Sequence, residues 1–259
     1  MRKDIFSLFI NYFMKISVLI LGATFFSIIF FIFKNGVCYV DFDTLKGVFI
    51  PVVNTINIII LTIFLSGIFG IGGSIYLCFY TKDSSVFSRL VLLSVNTLAS
   101  IPSIVYGLFG YLAFVIFCGF KISFISGVLT LSIMCLPVVL ASSLEALKSV
   151  DENIIKGAYA LGANKLKVII LCLKTARKEI LSTLVLAVAK IISESAALIY
   201  TFGTLLNIAK LDESGRTLSV HLYVLASEGL ELNAAYASSL VLIVFITFVC
   251  IVFNFLSKE

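Results

Sequence analysis

Residues 156–180 read KGAYALGANKLKVIILCLKTARKEI. They carry six Lys/Arg within 23 positions, with a glycine in the middle and a second amphipathic run behind it, between strongly apolar segments. Just upstream, Ser149 and Glu152 stand at the S-x-x-E spacing of a capping box, with Asp151 and Glu152 where the helix dipole favours anions. Ile154, Ala158 and Leu161 follow at i, i+4, i+7 on one apolar face. Gly162 is a natural C-terminal stop, and Asn164 can cap the next helix. The spacing predicts a short helix, a glycine turn and a second helix, an elbow with an apolar ridge and a basic rim. Two uses fit these residues: an interfacial hairpin lying on anionic lipid, or a docking element for the groove of a soluble partner.

The chain around the elbow is too apolar for a water-soluble protein. Of its 259 residues 61% are hydrophobic and 13% charged, and mean hydropathy is +1.16. Soluble domains carry roughly 45–50% apolar and about 25% charged residues. An all-α integral membrane protein is the expected class. The net charge of +5 is no argument for nucleic acid, because in such a chain the distribution of charge matters more than its sum. Six cysteines show no CxxC pair and no metal-ligand spacing, so free apolar thiols are expected. The N-terminal segment is read as a retained first span, without the small-residue exit site of a cleaved signal.

Six segments have the length and apolarity of spanning helices, near residues 16–33, 56–80, 90–117, 122–141, 180–203 and 233–256. With both termini inside, thirteen Lys/Arg fall on cytoplasmic segments (Arg2, Lys3 and Lys258 among them) and five outside, which orients the elbow to the cytoplasm. Small residues at four-residue spacing, Ser66/Gly70/Ser74 and Ala99/Ser103/Gly107, predict close helix packing. Pro102 is expected to kink the third span. Asn54, Asn57 and Asn96 are expected to hydrogen-bond between helices. The only histidine, His221, falls in an expected outer loop, 204–232, whose run LSVHLYVLA suits a short surface helix.

Lys190 and Glu194 are the one charged pair inside an expected span, at i, i+4, with Ala197 and Thr201 continuing their face. Intramembrane charges are costly and usually mark a function. Lys190, Glu194 and Thr201 are therefore candidates for a translocation path; the alternative is a structural salt bridge fixing helix register.

The pattern KGAYALGA, followed by a helix and LKTARKEIL, resembles the cytoplasmic loop of binding-protein-dependent ABC importer permeases. Ala160-Leu161-Gly162-Ala163 matches well, while Lys156-Gly157-Ala158 stands where Glu-Ala-Ala is usual. Within that family, LASIPSIVYGLFG (98–110) is similar to the third-span signature of phosphate permeases of the PstA type, and VAKIISESAALIYTFG (188–203) to their penultimate helix. IGGSIYL (71–77) and the 136–147 run also fit. Departures are Cys78-Phe79 where acids are common, Lys190 for an arginine and Ala197 for a proline.

The resemblance implies a type I importer permease fold of six transmembrane helices. Residues 1–54 would form an N-terminal segment with the first span and outer loop. Residues 55–256 would form the permease domain, with a cytoplasmic coupling loop over 145–178. It implies that Lys156, Gly157, Ala158, Leu161, Gly162, Ala163 and Asn164 dock on an ATP-hydrolysing subunit, and that Asn96, Pro102, Ser103, Tyr106 and Gly107 form the signature helix. The implied partners are a homologous PstC-type permease, two PstB-type ATP-binding subunits that use ATP and Mg, an extracytoplasmic PstS-type phosphate-binding protein near the 204–232 loop, and membrane lipid. A bacterial inner-membrane location follows.

No G-x-x-x-x-G-K-[ST] loop is present, so ATP hydrolysis is expected on a separate chain. Glu145, Glu179 and Glu194 are too dispersed for a membrane-embedded enzyme, and a stand-alone carrier would have no reason to keep a docking elbow. Permeation of another oxyanion, sulfate or molybdate, is the alternative within the same architecture.

Overall fold

The computed structural model describes residues 2–82, 85–228 and 232–258. Residues 229–231 of the expected outer loop, and the side chains of Arg2, Lys3 and Lys258, lie outside the described residues. Among the described residues the chain is helical, without strands: α1 (Arg2–Val37), α2 (Phe42–Phe79), α3 (Val86–Ala99), α4 (Ser103–Gly110) continuing into a π-helical segment (Tyr111–Phe117), α5 (Phe124–Lys148), α6 (Glu152–Ala160), α7 (Lys165–Thr175), α8 (Arg177–Ser193), α9 (Ala196–Thr201), α10 (Leu218–Glu228) and α11 (Leu232–Lys258).

Helices α2 and α5 form the centre because their facing sides are small. A Cβ on Gly70 would meet Val139 at 2.8 Å, and one on Gly73 would meet Leu140 at 2.9 Å. Ser66 and Ser74 on the same stripe are fully buried. Where lipid gives no hydrophobic drive for helix association, such close approach supplies the packing. Ile58, Leu131, Met134, Val188, Ile191, Ile192, Leu198 and Phe202 fill the adjoining core. Helix α1 is peripheral, packing on α11 where a Cβ on Gly36 would meet Tyr236 O at 2.9 Å and the Phe31 and Tyr236 rings sit edge to face at 5.8 Å.

Six uninterrupted spans do not result. Among the described residues four helices are long and apolar enough to cross a membrane, and five spans result if the bent pair α3–α4 is taken as one. The expected kink at Pro102 is a full break, with the two halves bent by 101° and Pro102 as the N-cap of α4. Proline removes a backbone donor and disfavours helix in the residue before it. The Ala99/Ser103/Gly107 stripe is therefore interrupted; Ala99 is exposed, Ser103 is partly exposed and Gly107 packs closely. The fifth expected span is broken as well, between α8 and α9 at Glu194 and Ser195. Helix α2 begins at Phe42, far earlier than residue 56, and runs without interruption past residue 54.

The loop before α10 folds back over the start of α5. Phe124 N donates to Glu213 O at 2.9 Å and Ile125 N to Leu211 O at 3.0 Å, satisfying donors that a helix N-terminus leaves unpaired. Asn54 ties this loop to α2 rather than joining two helices. Its Nδ2 donates to Asn207 O (2.8 Å) and Arg216 O (3.1 Å), and its Oδ1 accepts from Ala209 N (3.1 Å). Asn57 and Asn96 are exposed. Helix α10 forms where a short helix was expected, but it is packed into the bundle against α11 and α2 rather than lying on the surface, with Leu218 and Val220 fully buried.

Candidate functional site

The two broken helices meet. Helix α4 packs against α9, and a Cβ on Gly107 would lie 2.8 Å from Ala197 Cα, so the backbones touch. Tyr106, 6% exposed, donates its hydroxyl to Leu98 O at 2.8 Å, pinning α4 to the last turn of α3 across the break. On the other side Glu194, also buried, leaves the helix with ψ 124°; its Oε1 accepts from Ala197 N at 3.1 Å and so caps α9. Ser219 Oγ on α10 donates to Glu194 O at 2.5 Å, satisfying a carbonyl that the break strands.

This geometry replaces the expected Lys190–Glu194 pair. Residues i and i+4 share a face only on a continuous helix. Because α8 ends at Ser193, the Glu194 carboxylate turns to the α9 backbone, and among the described residues no ion pair joins it to Lys190. Both charges remain within electrostatic range of Cys135 on α5. Lys190 is half-buried and Ser193 beside it is exposed. Thr201 does not join them on an accessible face: it is fully buried, and its hydroxyl donates to Ala197 O at 2.9 Å. Of the signature residues, Tyr106 and Gly107 are buried at the break, Ser103 is partly exposed, and Asn96 and Pro102 are exposed.

The elbow has the expected order of short helix, glycine turn and helix. Gly162 takes φ +78°, and Asn164 caps α7 by accepting from Lys167 N at 3.0 Å. Its start differs from the capping-box expectation. Asp151 caps α6 by accepting from Asn153 N at 2.8 Å, while Ser149 closes α5 and donates to Ala146 O. Glu152 instead pairs with Lys156 at 2.5 Å, which holds the carboxyl below its usual range and the ammonium above its own. The ridge divides. Ile155, Ala158 and Ala163 pack on a core of Leu147, Val150, Val168, Cys172 and Ile180, whereas Ile154 is exposed and Leu161, at the turn, is 90% exposed. Lys165 Nζ stands 3.7 Å above the Tyr80 ring, fixing the elbow to the far end of α2. Gly157 has open space around it.

The sequence does not point to the interactions of Ser219 and Thr55, or to the loop partners of Asn54. Thr55 Oγ1 accepts from Leu218 N at 2.9 Å, and its pairing with α10 spans 163 positions. Their only signal was a polar residue in an apolar helix, which does not name its partner.

A broken-helix membrane bundle with an exposed elbow defines an all-α permease fold. A chain of the MetNI methionine ABC transporter, solved in inward-facing conformations, shares it with a TM-score of 0.69 at 14% identity, covering 84% of this chain and 98% of that one. Residues 70–258 match the family described as binding-protein-dependent transport system inner membrane component, and the chain belongs to that family. It is a multi-pass membrane protein. Among its relatives are the probable ABC transporter permease protein YqgI of Bacillus subtilis (27% identical, covering 71% of this chain and 66% of that one) and the phosphate transport system permease protein PstA homolog of Mycoplasma pneumoniae (31% identical, covering 79% and 33%). The chain thus spans just under two thirds of the first and a third of the second.

Proposed function

We propose that the chain is the transmembrane permease subunit of an ATP-driven phosphate importer, forming part of the translocation path and coupling to a separate ATPase subunit. The observation that carries this reading is the meeting of two broken helices beside Lys190, in a chain similar to phosphate permeases. A half-buried lysine next to interrupted helices offers a point charge to a multiply charged anion, and irregular backbone at membrane depth is tolerated where it lines a cavity or lies within protein. Helices that are already broken can re-angle as rigid pieces, as alternating access requires.

The elbow is the coupling element in this reading. Leu161 projects from a turn held by Gly162 and Asn164, a rigid apolar knob with no core to fill in this chain, suited to a groove on an ATPase. A second, PstC-type permease, two PstB-type ATP-binding subunits that use ATP and Mg, and a PstS-type binding protein complete the assembly. Both termini and the elbow face the cytoplasm, in accord with the distribution of Lys/Arg. Reconstitution of the assembly in proteoliposomes tests the proposal: phosphate should accumulate with ATP, and ATPase activity should need this chain. ATP hydrolysis with no phosphate movement contradicts it and returns sulfate or molybdate as the cargo.

A further inference from the structure

At the end of α2 opposite the elbow, a cavity of about 340 Å³ lies between the start of α2, the loop before α10, α10 and α11. That volume is within the range of small-ligand sites. Four separate segments supply its polar lining: Asp41 and Thr44, Arg216, His221 and Ser238. Two of these side chains have a buried polar atom without a hydrogen-bond partner among the described residues. His221 is 5% exposed with Nδ1 unpaired, and Ser238 is fully buried with Oγ unpaired. The neighbouring Ser239 donates to Ala235 O of its own helix, a bond Ser238 does not make. Buried polar atoms are nearly always paired, so two orphans on one cavity wall point to a polar guest.

The charges say what kind. Arg216 presents a cation and is also tied into the surrounding structure. Asp41 accepts from Thr44 N (2.8 Å) and Thr44 Oγ1 (2.6 Å), which holds its carboxyl below the usual range, so it faces the cavity as an acceptor only. A fully deprotonated oxyanion would gain from Arg216 and be repelled by Asp41. An oxyanion that keeps a hydroxyl satisfies both, giving oxygens to Arg216 and Ser238 and a hydrogen to Asp41. Burial and the Arg216 charge push His221 down to about 4, so its ring is neutral and offers one further donor or acceptor.

We propose that this cavity is a binding site for a partly protonated oxyanion of the phosphate class, held by Arg216, Ser238 and His221 and selected by Asp41. The choice of phosphate rests on the import reading; the site is separate from the Lys190 region. Helix α10 connects the two, since Ser219 holds the Glu194 carbonyl and His221 lines the cavity.

His221 is the only histidine, so its ring resonances report this cavity alone. The full chain with ¹⁵N-labelled histidine, in lipid nanodiscs, is titrated with inorganic phosphate and then with sulfate. A saturable shift is expected with phosphate and one about tenfold weaker with sulfate, since a site built around a ligand hydroxyl rejects an anion without one. Ser238→Ala and Arg216→Gln should remove the phosphate shift, and Asp41→Asn, a conservative change at an exposed residue, should bring the two anions together. A His221 signal unmoved by either anion means a water-filled cavity and overturns the inference. Equal response to both in the unmodified chain overturns the role of Asp41. Cellular uptake is a separate readout: phosphate import with a silent His221 sinks this site alone, whereas import of another anion sinks the import reading.

Discussion

Gly107 and Ala197 touch backbone to backbone, with only 2.8 Å between the position of a missing Cβ and Ala197 Cα. Within the α4–α9 interface, the piece that follows the break in α3–α4 here packs directly on the piece that follows the break in α8–α9. Gly107→Ala should therefore force the two apart and cost about 1–3 kcal/mol, as overpacking does. Thermal unfolding of the purified chain in detergent would show the loss, and a stability equal to wild type would mean that the contact is looser than described.

Lys190→Met should reduce phosphate uptake to about a tenth or less of wild type while the assembly stays intact, because removal of a functional intramembrane charge removes the attraction for the anion, not the packing. Lys190→Arg keeps the charge and should keep most uptake. Unchanged uptake in the methionine variant would separate Lys190 from the path.

Glu194 is expected to act on structure through its cap. Glu194→Gln retains an oxygen for Ala197 N and should be nearly neutral in stability, whereas Glu194→Ala should lose about 1 kcal/mol, the usual worth of a capping oxygen. Equal stabilities of the two variants, measured by unfolding midpoint, would remove the capping role.

Leu161→Asp should leave the unfolding midpoint where it is, since the side chain is 90% exposed and packs on nothing in the core. Uptake and chain-stimulated ATPase activity should fall together. Normal coupled activity would argue that the elbow docks elsewhere than at its turn.

Asn54→Ala should be the most damaging single change outside the breaks. It strands two carbonyls and one N–H of the loop covering α5, at about 1–3 kcal/mol for each buried group that finds no water. The loop should become sensitive to proteolysis between residues 204 and 217. Resistance equal to wild type would show that the loop is held by other contacts.

The elbow was legible in the sequence because its signals are local: Gly162 needs a left-handed backbone and Asn164 caps three residues ahead. The small stripe Ser66/Gly70/Ser74 was legible for the same reason, on an unbroken helix. The breaks were not. Apolar runs on either side of Pro102 and Glu194 read as continuous spans, because hydropathy records length and not direction. Once α8 stops at Ser193, every face inferred beyond it rotates, which is why Thr201 lies in the core and the Lys190–Glu194 pair does not form. The capping box failed by a shift of two residues, from Ser149 to Asp151. The polar cavity at His221 draws its walls from residues up to 197 positions apart (Asp41 to Ser238), a juxtaposition that only the packed bundle creates.

The most direct measurement is uptake of radiolabelled phosphate by cells lacking this gene, with sulfate and molybdate as competitors. High-affinity phosphate uptake should be lost, restored by the gene, and insensitive to both competitors. Normal phosphate uptake in those cells, with import of another anion lost, would contradict the phosphate assignment.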